Sequence, residues 1–185
     1  MSGNSDVRVV AGAIANTARR GSRGLVISAC GAAAINQAVK SIAITRRVYL
    51  QDDHLEIDVV GVQFPDQAYK HLAYIYLQVV RSRERPMSRQ WTTYKVSGNS
   101  TPGRVAGAIA SSLRDGVGCR ISVLGAAALL KAILAIAICS TYLDTDPRPC
   151  SLKFWPDFDT IHVGKEMRSG VSLRIVPVTK RMNTA

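Results

Sequence analysis

The residues of this chain best suited to chemistry are cations and amides grouped as phosphate binders group them. Asn36, Gln37 and Lys40 fall on one face of a helix, with Arg46 and Arg47 at its end. Side chains of these types reach phosphate oxygens or base edges; they equally suit a solvated face or a polar dimer contact. A second group, Arg81, Arg83, Arg85 and Arg89, runs up to Trp91 and Tyr94. Arginine forks fit phosphates, and aromatic rings offer platforms for unpaired bases. The alternative is a solvated connector with Trp91 tucked into a sheet. Lys95, Arg104 and Lys131 complete the candidate set in the second half of the chain.

Catalytic chemistry has little to stand on. Asp52, Asp53, Asp157 and Asp159 lie in loops or turns, and no Ser/His/Asp or Cys/His arrangement can be built from the spacing. His54, His71 and His162 are isolated from Cys and carboxylate partners, so no metal site is expected. The run Ala11-Gly12-Ala13, repeated as Ala106-Gly107-Ala108, lacks the spacing of a dinucleotide fingerprint and has no P-loop lysine. No cofactor is implied. Cys30, Cys119, Cys139 and Cys150 show no C-x-x-C spacing, which points to free thiols in a reducing compartment, the cytoplasm or the mitochondrial matrix.

Charge supports the phosphate reading. The chain carries 24 Lys+Arg against 13 Asp+Glu, a net +11. The excess is shared: 12 against 7 before Trp91, and 12 against 6 from Trp91 on. A positive field spread over both halves favours polyanions such as RNA, DNA or anionic membrane, and the plain alternative is solubility alone. The apolar run from Ile121 to Cys139 is long enough to suggest a membrane span, but it carries Lys131, which costs roughly 2.5–3.5 kcal/mol at mid-bilayer. It reads as a buried helix, with no membrane partner expected. The Arg-bearing N-terminus likewise reads as a structural helix rather than a leader.

The elements that must position these residues occur twice. SGNSDVRVVAGAIA (Ser2–Ala15) matches SGNSTPGRVAGAIA (Ser97–Ala110) at an offset of 95. GAAAINQAVKSIAI (Gly31–Ile44) matches GAAALLKAILAIAI (Gly125–Ile138) at 94. That period is too long for a solenoid and right for a small domain, so the chain is a tandem duplication. The expected division is a first copy over 1–80, a basic linker over 81–91 containing Pro86, and a second copy over 92–185.

In the first copy, helices are expected over Val7–Arg20 and Ala32–Arg46, and strands over Leu25–Ala29, Leu55–Phe64 and Leu72–Val80. The second copy adds an opening strand, Thr92–Val96, that the first lacks. A helix follows, capped by Ser100 or Thr101 and stopped at Gly116, then a strand at Ile121–Leu124 and a second helix. Leu152–Trp155, Asp159–Val163 and Val171–Val178 read as the last strands, with turns at Pro156 and over 165–170. Each copy is therefore β-α-β-α-β-β, an α+β two-layer sandwich with helices on one face of a mixed sheet. The SGNS loops precede helix N-termini, where free N–H groups suit either a phosphate or plain capping. The second helix of copy two replaces Asn36, Gln37 and Lys40 with Leu130, Lys131 and Leu134, so the copies, or another chain, are expected to pack across it.

These motifs, KVSGNSTPGRVAGAIASSLR (Lys95–Arg114), GAAAINQAVKSIAITR (Gly31–Arg46) and the run Leu152–Val178, resemble the stage V sporulation protein S family, whose fold is Alba-like. The resemblance spans nearly the whole chain, twice. It implies a domain that dimerises and binds nucleic acid, with no catalysis. The tandem departs from the single-domain form expected of that family. Two functions follow as expectations: a nucleic-acid-binding protein, RNA in preference to DNA, acting through backbone electrostatics; or a structural subunit of a larger ribonucleoprotein such as an organellar ribosome, among ribosomal proteins. The copies would form a pseudo-dimer, or the chain a homodimer.

Overall fold

A computed structural model describes residues 1–21, 24–53, 55–63, 74–82, 90–146 and 150–179. The first copy begins with α1 (Val7–Arg19), whose N-terminus is closed by Asp6 accepting from the Arg8 and Val9 amides at 2.7 and 3.3 Å. Gly21, at φ +73°, turns the chain back into β1 (Leu25–Cys30). Next comes α2 (Gly31–Ile44), which a π turn over Thr45–Tyr49 prolongs beyond the expected end at Arg46. The Leu50 amide donates to the Thr45 carbonyl, closing that wider turn at 2.9 Å. β2 (Glu56–Gln63) and β3 (Tyr74–Ser82) complete copy one.

The second copy has β4 (Trp91–Val96), α3 (Pro102–Arg114), β5 (Gly118–Val123), α4 (Ala126–Asp144), β6 (Cys150–Val163) and β7 (Glu166–Thr179). Among the described residues no strand precedes α1, and the Met1 ammonium donates to the Ser28 carbonyl of β1. β3 continues to Ser82 and β4 starts at Trp91, so both ends of the 81–91 connection belong to strands.

The copies do not make two separate sandwiches. All strands join one seven-stranded sheet in the order β1-β3-β2-β6-β7-β5-β4. Leaving out β4, that order is symmetric about its centre: β1 stands to β3 and β2 as β5 stands to β7 and β6. β4 pairs parallel with β5, and the other pairings are antiparallel. The helix layer repeats the symmetry, α1 packing on α2, α2 on α4 and α4 on α3. One hydrophobic cluster runs through both halves, from Ile14 and Ile35 to Ile133 and Ile175. The pseudo-dimer expected from the repeat is thus a single folded body.

This position explains the composition of α4. It meets α3 and β6 of its own copy and also α2 and β2 of the other, so it buries residues nearly all round, from Ala128 to Leu143. It is long and apolar enough to cross a membrane, and half of it is buried here against protein. Leu130 and Leu134 keep partial exposure.

One expected turn is absent. Pro156 sits inside β6, a single 14-residue strand that folds back through Gly164 and Lys165 into β7. A proline cannot donate to a ladder. It is tolerated because β2 pairs with β6 only at Val59–Phe154, leaving that edge open at Pro156. The Pro156 carbonyl instead accepts from Arg46 Nη1 at 2.9 Å.

The cysteines are free thiols, with Cys30 exposed and Cys119 and Cys139 buried. Burial pushes the Cys139 thiol up to about 12 and raises Cys119 as well. Both stay protonated at pH 8, and the thiolate is the reactive form. Native protein treated with iodoacetamide at pH 8 is expected to be modified at Cys30, with Cys119 and Cys139 spared until denaturant is added; peptide mass mapping reads the outcome.

Candidate nucleic-acid interface

The helix-face residues part company in the folded chain. Asn36 and Lys40 line a groove of about 540 Å³ between the two copies. Copy one supplies Arg8 from the first turn of α1, with Asn36 and Lys40 from α2. Copy two supplies Gly125 at the start of α4, Phe158 on β6 and Arg168 on β7. The side chains of Arg8 and Lys40 have no hydrogen-bond or ion-pair partner among the described residues. Arg168 pairs with Glu166 at 2.8 Å, with both side chains more than half exposed, so the pair is weak. The groove therefore gathers three cations and one carboxamide beside the amides that open α4. Its floor is tight: a Cβ on Gly170 would lie 2.6 Å from the Val123 carbonyl.

Gln37 turns elsewhere and donates to the Gly3 carbonyl at 3.3 Å, tying the first SGNS loop to α2. Those loops are self-contained. The Ser5 hydroxyl accepts from the Ser2 amide at 3.0 Å, and Ser100 accepts from Ser97 at 2.9 Å. Their glycines allow close seating, since a Cβ on Gly3 would stand 2.9 Å from that of Ala33. Asp6 already occupies the α1 N-terminus, so plain capping accounts for the first loop. In the second, Thr101 is the capping residue but makes no side-chain bond.

Arg46 is the clearest correction. Its side chain is only 6% exposed, which leaves little of it for the expected contact with nucleic acid. The π turn directs it inward, where it bonds Pro156 and Glu56 and stands 5.8 Å from the centre of the Trp155 ring. Arg47 stays exposed and lines a different cleft with Gln51 and Asp157. Lys95 and Arg104 are exposed on β4 and α3, away from the groove lining, and Lys131 is half-buried on α4 at the place of Gln37. Arg81 lies within β3, and Arg83, Arg85 and Arg89 fall outside the described residues.

Among the aromatics, Tyr94 is used internally: its hydroxyl donates to the Ala108 carbonyl at 3.2 Å and meets Ser112 Oγ at 2.8 Å. Trp91 is 39% exposed and braced edge-on by the buried Trp155, with ring centres 6.2 Å apart. The candidate carboxylates serve structure: Asp53 pairs with Arg19, and Asp159, which with Asp157 lies within β6 and not in the expected loop, pairs with Arg120. Among the described residues no group of three His, Cys, Asp or Glu is placed to hold a metal.

Sequence reasoning missed Arg8 and Arg168 as site residues. Each is unremarkable in its own copy, and the groove exists only between copies. The contrast between buried and exposed arginines is measurable. Arg46→Ala leaves the Pro156 carbonyl and the partly exposed Glu56 without this donor and is expected to lower the melting temperature by roughly 5 °C. Arg47→Ala is expected to leave it nearly unchanged, and thermal denaturation followed by circular dichroism checks both.

The family model described as Stage V sporulation protein S (SpoVS) matches residues 1–72 and 92–178, one segment in each copy. The first match takes in α1 to β2 and stops short of β3, the second takes in nearly all of the second copy, and together they cover most of the chain. The chain therefore belongs to the stage V sporulation protein S family, carrying its Alba-like unit twice in tandem.

Proposed function

We propose that this protein binds nucleic acid, RNA in preference to DNA, and performs no chemistry on it. The observation that carries the reading is the groove between the copies, where Arg8, Lys40 and Arg168 converge beside Asn36 and the start of α4. Cations lining one groove suit a phosphate backbone, and the net charge of +11 supplies the long-range attraction. Affinity of this origin comes from counterion release and weakens with salt. Exposed Lys95, Arg104 and Arg47 extend the positive field beyond the groove. The exposed Cys30 thiol suits a reducing, intracellular compartment.

Fluorescence anisotropy with a single-stranded RNA and a duplex DNA at two salt concentrations tests this. The association constant for RNA is expected to fall at least about tenfold between 50 and 200 mM salt. Arg8→Ala/Lys40→Ala/Arg168→Ala is expected to weaken RNA binding roughly tenfold at low salt and flatten the salt dependence. Absence of binding at about 50 mM salt contradicts the reading.

A second reading, a structural subunit of a ribonucleoprotein such as an organellar ribosome, draws on β1. That strand ends the sheet, and Val26 on it is 61% exposed. Open strand edges invite pairing. Tight co-sedimentation of the native protein with ribosomal particles would favour this reading over the first.

A further inference from the structure

The strands that join the two copies are each other's counterparts, and the residues that touch are the same position met twice. Leu25 and Cys119 each lie six residues before the glycine that opens the second helix of their copy, Gly31 and Gly125. Leu25 pairs with Val79, and Val79 with Val59. Cys119 pairs with Ile175, and Ile175 with Phe154. Val59 and Phe154 are therefore equivalent, as are their preceding neighbours Asp58 and Lys153. Val59 pairs directly with Phe154 across the centre of the sheet. Lys153 Nζ reaches Asp58 Oδ2 at 2.6 Å, with the two side chains 13% and 1% exposed.

A contact between equivalent positions brings identical residues together whenever two identical units pair about a two-fold axis. Here the copies have diverged at both positions, and in complementary ways. Two first copies paired this way would set Asp58 against Asp58, almost fully buried, and Val59 against Val59, with space left over. Two second copies would set Lys153 against Lys153 and Phe154 against Phe154. Like charges without a counter-ion in a buried site are strongly unfavourable, and both too much and too little volume destabilise a core. Only the mixed pairing satisfies charge and volume together. The neighbouring contacts are one-sided too: Arg46 of copy one stacks on Trp155 of copy two, while the matching helix position in copy two is Ser140.

We infer that Asp58–Lys153 and Val59–Phe154 act as a two-part key that makes the copies recognise each other and reject a second chain at this surface. Duplication has turned a self-pairing surface into a directional one, and homodimerisation through it is closed off. The key also fixes the groove, whose cations come from opposite copies. It rests on the geometry of the junction and stands whether or not the groove binds RNA.

Two swap cycles in the full chain test the inference by thermal denaturation. Asp58→Lys and Lys153→Asp, made singly, are each expected to lower the melting temperature by about 10 °C. The double exchange Asp58→Lys/Lys153→Asp is expected to regain most of that loss. Val59→Phe and Phe154→Val should behave alike, each single destabilising and the pair recovering; this cycle keeps the test readable if a charge single fails to fold. Doubles as unstable as the worse single, or singles without effect, would overturn the key.

Discussion

Each copy of this protein, taken alone, would end its sheet in a bare strand: β2 in the first half and β6 in the second. Their antiparallel meeting at Val59 and Phe154 joins the two edges. That ladder contact is short, so side chains carry much of the union. The α2 and α4 helices pack over it, Asp58 and Lys153 neutralise each other beneath it, and Arg46 braces the open stretch at Pro156. The long hydrophobic cluster is continuous only because the strands join, and the groove exists only because α2 faces the β6–β7 hairpin of the other half.

What duplication preserved and what it changed follow from this geometry. Several features internal to a copy recur. The SGNS turns repeat, Gly21 and Gly116 share φ +73°, and Arg19 clamps Asp53 as Arg114 clamps Asp146. Positions at the junction have diverged, because a contact between unlike partners no longer has to satisfy itself. The apolar α4, the inward Arg46 and the proline within β6 all belong to this second class.

The first class was legible in the sequence and the second was not. Identical loops and helices at offsets of 95 and 94 disclose the duplication, the element order and the family. The π turn was not visible, since Thr45 has the look of any residue near a helix end until its hydroxyl meets the Ser41 and Ala11 carbonyls. Arg46 was consequently read as a surface cation. Pro156 suggests a turn because prolines usually mark one, and it fits within β6 because the β2 pairing at Val59–Phe154 does not extend to it. Asn36 and Lys40 were found as candidates from their helical face, whereas Arg8 and Arg168 needed the opposite copy in place. The pair Asp58 and Lys153 did leave a trace, opposite charges at the repeat offset of 95 within two alternating strands, but EIDVVGVQ and SLKFWPDF share too little to align by eye.

The central claim is that two family units have merged into one cooperative body through equivalent strands. Equilibrium unfolding of the full chain in urea, followed at once by tryptophan fluorescence and far-ultraviolet circular dichroism, tests it most directly. Both tryptophans, Trp91 and Trp155, lie in the second copy, whereas helices of both copies contribute to the dichroism. A single coincident transition is the predicted result. A fluorescence transition well separated from a second step in the dichroism would mean that the copies fold independently, and would contradict the account.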